Sequence, residues 1–423
     1  MVNNKMKTSI FYILLHLILA SHFATPSFGA EQGLKILFKE PFKEEPRVSV
    51  IDVDGDKTNE VIVSAKGVIH IYKWNGRTFV EQWKSAQYNY IISYSAFGKV
   101  FTTKHDVSRV FPIQYRSGNK NKESFLFFVH TAKREVDVYE LLWLNKQYVI
   151  RKISKAPFNW FETVGKCNDS LTAILGVIYN PAGNQLAGYK WDGIALNEKW
   201  RGAPDIGLKG LVSGRVFIDS KVAKDIFLLQ DGGNSILTCK DDKFDIITLG
   251  NTLSKSNLYA SSRSILGITM KGSSGELWTI ETPKSEGQYY AIPNVSQFNG
   301  KEFSPFKKVQ FKGIASDRIT NLSIVDLDDD GLGEILGAEV KATQMGPPEG
   351  EEGIRLKNVR TNLFMAKWNG REYQVYWHKL ATTGEKSMLR QIEISDVLGD
   401  GKKEIIATDA ESYLYIFQLP DIQ

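Results

Sequence analysis

Cysteine and histidine are scarce in this chain, and no helical hydrophobic period runs through it. Cys167 and Cys239 are the only cysteines among 423 residues, so no disulfide framework holds the fold. An oxidising compartment would allow the two to pair. They fall on different parts of neighbouring repeat units, however, and no disulfide is expected. Beyond residue 30 only His70, His105, His130 and His378 remain, and His70, His130 and His378 lie in strand-like segments that suit structural roles. There is no nucleophile elbow, no His-x-x-x-His pair and no phosphate-cradling glycine loop. No second apolar stretch after residue 30 is long enough to span a bilayer.

The first thirty residues read as an export leader. Lys5 and Lys7 precede an apolar run from Ile10 to Ala20, and Ser27, Gly29 and Ala30 lie near a plausible cut. The site is imperfect: a cut after Ala30 puts Phe28 where a small residue is preferred, and a cut after Gly29 puts Ser27 there. The apolar run is short for a membrane anchor, and no cysteine near the junction offers a lipid attachment. The expected product is exported, periplasmic or extracellular. Losing two lysines lowers the net charge from +5 to +3, too little to argue for nucleic acid or an anionic membrane.

What the chain does have is repetition. Asp52-Val53-Asp54-Gly55-Asp56-Lys57-Thr58-Asn59-Glu60 and Asp326-Leu327-Asp328-Asp329-Asp330-Gly331-Leu332-Gly333-Glu334 place acids at positions 1, 3, 5 and 9, between apolar runs. Four carboxylates in nine residues repel one another unless a hard cation lies among them, and Ca²⁺ suits such oxygen-rich loops. A second motif, Trp74-Asn75-Gly76-Arg77-Thr78-Phe79, is a hairpin signal. Its frame recurs at Trp143 and Tyr148, Trp191 and Leu196, Cys239 and Phe244, Phe298 and Phe303, and Trp368 and Tyr373. The aromatic residues at these turns are expected to pack between units.

The two motifs keep a fixed phase. Trp74 follows Asp52 by 22 residues. A third acidic loop, Asp396-Val397-Leu398-Gly399-Asp400-Gly401-Lys402-Lys403-Glu404, precedes Phe417 in the same way. Residues 115–123 and the segment from Phe217 to Asp225 read as degenerate copies of the loop. Each unit therefore reads strand a, loop, strand b, strand c, turn, strand d, the four-stranded antiparallel blade of a β-propeller. Units fall at roughly 44–86, 92–154, 160–205, 208–253, 258–312, 318–380 and 386–419. The seventh lacks strand d, and the orphan segment 34–38 supplies it, covering two edges at once. The expectation is an all-β, seven-bladed propeller. Eight blades are the alternative if the stretch between Trp74 and Trp143 hides a degenerate unit.

The acidic phrases, with their flanking Val50-Ile51, Val61-Ile62-Val63, Ile324-Val325, Ile335-Leu336, Ile394-Ser395 and Ile405-Ile406, resemble FG-GAP/VCBS-type repeats of secreted propeller proteins. The integrin α-subunit head is a related case. The resemblance implies Ca²⁺ held by Asp52, Asp54, Asp56, Glu60 and the Thr58 carbonyl, and by Asp326, Asp328, Asp330, Glu334 and the Leu332 carbonyl. The third loop, with Asp396, Asp400 and Glu404, has Leu398 at position 3 and two lysines alongside, so a weak or empty site is expected. The ions are expected to stabilise the fold rather than to catalyse.

Loops a–b and turns c–d share one face; loops b–c and connectors d–a share the other. The extra length falls on the second face: residues 344–353, residues 272–290, and the tyrosine-rich connector from Tyr88 to Val107, all assigned to b–c or d–a. The resulting reading is an exported, calcium-stabilised module that binds an unidentified protein or glycan on its loop-rich face. The alternative is a propeller enzyme acting on polysaccharide, a lyase or glycosidase whose site is assembled from several blades. A structural subunit of an envelope complex is the third possibility.

Overall fold

Short runs of β-branched and aromatic residues between Gly, Asn and Asp turns favour antiparallel strands, and strands are what form. The computed structural model describes the backbone from residue 33 to 420, apart from internal stretches of which the longest are 250–260, 284–291, 299–306 and 346–354. Side chains are not described over 89–106, 203–308 and 344–357. Among the described residues no helix is long and apolar enough to cross a membrane.

The first strand, β1 (Ile36–Pro41), stands apart from those that follow it. Next, β2 (Arg47–Ile51), β3 (Glu60–Ala65), β4 (Val68–Trp74) and β5 (Phe79–Lys84) form an antiparallel sheet in chain order. A separate hairpin follows, β6 (Ile91–Ala96) with β7 (Lys99–Lys104). Then come two four-stranded sheets. One contains β8 (Phe111–Ser117), β9 (Lys120–His130), β10 (Val136–Leu144) and β11 (Gln147–Lys155); the other contains β12 (Trp160–Lys166), β13 (Thr172–Ile178), β14 (Gln185–Trp191) and β15 (Leu196–Arg201).

Two further groups of four make one eight-stranded sheet. They are β16 (Leu208–Ile218), β17 (Lys221–Gln230), β18 (Gly233–Lys240) and β19 (Lys243–Leu249), then β20 (Ser261–Lys271), β21 (Ser274–Pro283), β22 (Ile292–Phe298) and β23 (Lys307–Lys308). The groups join through parallel pairing of their first strands, from Arg215↔Gly267 to Ile218↔Met270. Another four-stranded sheet is built from β24 (Ile319–Val325), β25 (Glu334–Met345), β26 (Arg355–Trp368) and β27 (Tyr373–Gly384). The last contains β28 (Leu389–Ser395), β29 (Glu404–Asp409) and β30 (Tyr413–Gln418), and its fourth strand is β1.

Burial within a sheet follows strand order. Every residue of β3 and β29 is buried, whereas β5 and β15 are mostly exposed. A second strand buried on both faces needs apolar residues at consecutive positions, which Val61-Ile62-Val63 and Ile405-Ile406-Ala407 provide. Most of the apolar clusters among the described residues lie between sheets, and one packs the β24–β27 sheet against residues 309–314. Ile62 and Ile71 pack with Phe127 and Tyr139 of the next sheet. Phe128 and Val138 pack with Ile174 and Tyr189. Leu336 and Leu363 pack with Ile405 and Phe417. Val61 and Val63 pack with Ile406 and Ile416, which joins the first four-stranded sheet to the last. At Gly337 an added Cβ would lie 2.2 Å from Phe364 Cζ, so glycine is what lets that ring seat.

The turn aromatics behave as expected where they are described. Trp143 and Tyr148 pack with ring centroids 4.5 Å apart and planes tilted by 52°, within an inter-sheet cluster. Buried Trp191 donates its indole N–H to Ser124 Oγ of the neighbouring sheet at 3.2 Å.

β1 runs antiparallel to β30, from Ile36↔Phe417 to Pro41↔Tyr413, in the place expected of the orphan segment. Three other expectations need correction. The two degenerate loops are mostly strand: pairing continues to Ser117↔Lys120, which closes through a two-residue turn, and to Ile218↔Lys221. Without mutually repelling acids the backbone keeps its ladder hydrogen bonds to the end. The stretch from Tyr88 to Val107 contains the β6–β7 hairpin, neither a plain connector nor a four-stranded unit. Finally, residues 272–273 lie between β20 and β21, an a–b position; only 284–291, between β21 and β22, is b–c. Cys167 and the leader lie outside the described residues.

Candidate metal centre

The loop from Asp52 to Glu60 is organised by its own carboxylates. Asp52 accepts the Gly55 N–H at 2.8 Å and the Lys57 N–H at 2.9 Å. Asp56 accepts the Thr58 N–H at 2.9 Å. Glu60 Oε2 reaches back to the Val53 N–H at 2.7 Å. The chain turns through left-handed conformations at Gly55 (φ 78°) and Lys57 (φ 73°). Glycine adopts these freely; lysine does so at a cost of about 1 kcal/mol.

Asp52, Asp54, Asp56 and Glu60 each bring one carboxylate oxygen within 4.8 Å of the others, the one such group among the described residues. Ca²⁺–oxygen distances of about 2.3–2.6 Å make that spacing fit a hard cation. The fit is contested by a residue that motif reading overlooked. Lys73 Nζ lies 2.5 Å from Asp54 Oδ2, 2.8 Å from Asp56 Oδ2 and 2.8 Å from Glu60 Oε1. The strand register puts it there: one step past the Val61↔Tyr72 pair, Glu60 and Lys73 face each other.

The electrostatics follow from burial and this ammonium. Burial alone would pull Lys73 down, but hydrogen bonds to Asp54, Asp56 and Glu60 outweigh it and hold its pKa above the usual lysine value. The hydrogen bond from Lys73 holds Asp56 below the usual carboxylate range. Glu60 is fully buried; desolvation raises it despite the opposing pull of Lys73 and the Val53 amide. Tyr148, from the next sheet, is raised by burial and then by the charges of Glu60 and Asp54.

Of the second loop, Asp326, Asp328, Asp330 and Leu332 lie outside the described residues. Glu334 is buried, accepts the Leu327 N–H at 2.6 Å and lies 3.4 Å from Lys367 Nζ. The third loop repeats the first loop's backbone. Asp396 accepts the Gly399 and Gly401 N–H groups at 2.7 and 2.8 Å, and Glu404 accepts that of Val397 at 3.1 Å. Both glycines are left-handed, with φ 73° and 83°. Here Gln418, not lysine, faces Glu404. Burial, with the charges of Asp400 and Asp396, pushes Glu404 up to about 7.

Adjacent loops are also latched together. Asn59 Nδ2 donates to the Asp396 carbonyl at 2.8 Å, and Lys403 Nζ donates to the Leu327 carbonyl at 3.4 Å. Both donors occupy position 8 of their loops. The sequence did carry a signal for the lysine, since Lys73, Lys190 and Lys367 each precede a tryptophan and an Asn-Gly or Asp-Gly turn. Lys190 pairs opposite Ala173, where residues 167–171 of the adjoining loop lie outside the described residues.

The histidines show no catalytic grouping among the described residues. His70 sits 3.2 Å from Glu81, His378 lies 2.8 Å from Glu339, and His130 stacks on Trp160 while accepting the Phe161 N–H at 3.1 Å. His105 lies outside the described residues.

No family model matches the sequence, and no curated protein matches it. Among solved structures, BBS1N in complex with ARL6DN superposes with a TM-score of 0.50 at 11% identity, over 92% of this chain and 98% of that one. Sqt1 from Chaetomium thermophilum gives 0.49 at 8% identity, over 91% and 98%. Sqt1 from Saccharomyces cerevisiae gives 0.48 at 9% identity, over 92% and 100%. These likenesses concern the fold alone. With its four-stranded antiparallel sheets, the chain is an all-β protein of the propeller type.

Proposed function

We propose that this chain is an exported seven-bladed propeller, closed by its own N-terminal strand, that binds a protein or glycan on the face carrying its b–c loops and d–a connectors. Support for the ring comes from contacts between successive sheets, β12 with β16, β20 with β24 and β24 with β28, and then β28 with β2. The latches Asn59–Asp396 and Lys403–Leu327 run the same way round. Kinship with FG-GAP/VCBS repeats rests on the three acidic loops. Export rests on the leader-like first thirty residues.

The observation that carries the binding role is one-sided elaboration. Parallel pairing of β16 and β20 supports placing the like ends of neighbouring sheets on one face. On the b–c and d–a side we place the β6–β7 hairpin and the β25–β26 hairpin. The last pairs out to Met345↔Arg355, in strands of 12 and 14 residues against six and seven in β3 and β4. Long loops on a rigid scaffold are where recognition usually resides. BBS1N, crystallised with ARL6DN, is a protein of this fold with a protein partner.

Calcium belongs to the proposal as a structural ligand of 52–60 and 326–334, weaker at 396–404; at 52–60 it competes with Lys73 for the same oxygens. The binding role is tested by removing residues 345–352 and comparing glycan-array and envelope-protein pull-down profiles with those of the intact protein. A ligand kept by the intact protein and lost by a folded variant supports the reading. Identical profiles count against the face.

A further inference from the structure

We infer that Lys73 is the built-in counter-cation of the 52–60 loop, which therefore closes without a divalent ion and admits one only when the ammonium leaves. The geometry comes first. An ammonium has three N–H donors, and Lys73 Nζ has three carboxylate oxygens around it, on Asp54, Asp56 and Glu60, at 2.5, 2.8 and 2.8 Å. Those are three of the four acids a divalent ion would use. The fourth, Asp52, already accepts backbone N–H groups on both oxygens, and Glu60 Oε2 is held by Val53. Ca²⁺ wants six to eight oxygens; the ammonium needs only the three it has.

The second argument compares three sheets of the same chain. Where position 3 of the loop is an aspartate, Asp54 or Asp328, a lysine faces the buried glutamate: Lys73 opposite Glu60, and Lys367 at 3.4 Å from Glu334. Where position 3 is Leu398, the residue facing Glu404 is Gln418. In these three loops acid and lysine are present together or absent together, as expected if each neutralises the other; Lys190, in a sheet without the acidic pattern, faces Ala173 instead. Both leave the loop backbone unchanged, since the glutamate-to-position-2 and aspartate-to-positions-4-and-6 hydrogen bonds recur in the first and third loops.

The test uses the full chain and thermal unfolding in millimolar EDTA or millimolar calcium. It compares wild type, Lys73→Gln, and the double variant Asp54→Leu/Lys73→Gln, which copies the Leu398 and Gln418 arrangement. In EDTA, Lys73→Gln should lose about 5 °C, because breaking a buried ion pair strands its partners. The double variant should recover at least half of that loss. Calcium should raise the melting temperature of Lys73→Gln more than that of wild type or of the double variant. The inference is overturned if Lys73→Gln matches wild type in EDTA, or if calcium stabilises wild type and Lys73→Gln equally. Should the single variant not fold in EDTA, folding restored by calcium or by Asp54→Leu supports the inference, and failure of both rescues overturns it.

Discussion

Asn59 and Asp396 are 337 residues apart, yet the Asn59 amide donates to the Asp396 carbonyl at 2.8 Å and to Ser395 Oγ at 3.1 Å. Their loops belong to the first and last four-stranded sheets. Position 8, a non-ligand in the pattern the loops resemble, thus carries the contact from one loop to the next. Replacing Asn59 with alanine should cost about 1–2 kcal/mol, since a part-buried carbonyl loses its donor. The change should appear as a lower urea midpoint with an unchanged m-value. Asn59→Asp should cost more, and salt should recover part of the difference. Equal midpoints for both variants and wild type would rule out the latch.

Strand β1 covers the edge of β30 and carries Leu34 into the cluster around Leu389 and Phe417. Leu34 also donates its N–H to the Leu380 carbonyl of the preceding sheet at 2.8 Å. Fully burying a leucine contributes about 1.5–3 kcal/mol, and an uncovered edge invites pairing with another chain. A chain lacking residues 33–42 is therefore expected to self-associate or lose its cooperative transition. A synthetic peptide spanning that segment should restore the monomer. A monomeric truncation with wild-type stability would contradict this role, as read by sedimentation and calorimetry.

Lys57 holds φ 73° where the third loop has Gly401 at φ 83°. Lys57→Gly should relieve the left-handed strain and raise stability by about 0.5–1 kcal/mol. The side chain is exposed and forms no part of the acid cluster. A destabilised variant would show that Lys57 contributes more than its backbone.

Burial raises Tyr72, Tyr189 and Tyr415 above the usual tyrosine value, Tyr189 to about 12. The neutral phenol is favoured in the folded state, so this stabilisation is complete below pH 10. As pH rises beyond 10 the unfolded chain ionises first, and stability falls up to the folded pKa values. Ultraviolet titration should show a majority of the 17 tyrosines ionising reversibly, with a late group released only on unfolding. A single reversible step for all of them would refute the shifts.

Much of the strand order was legible because local patterns carry it. Asn-Gly turns, apolar runs such as Val61-Ile62-Val63 and the nine-residue acidic loops lie within contiguous stretches. The β6–β7 hairpin escaped notice because its segment has no turn signature resembling the repeat. The tight turn at 118–119 reads as a shrunken loop in the sequence because its length and terminal glutamate outweigh the missing aspartates. Lys73 was missed for a physical reason. Its partners lie 13 to 19 residues away in sequence, and only the pairing of β3 with β4 brings it among them.

Alone, the amino-acid sequence determined the unit: four short strands, an acid-bearing loop after the first and a turn before the last, since each of these is a local preference. Tertiary structure decided how charge is balanced and where the ends meet. A carboxylate cluster can be neutralised by any cation within reach, and an edge strand can pair with any open edge. Only the strand pairing of the folded sheets, β3 with β4 and β1 with β30, selects Lys73 for Glu60 and β30 for β1.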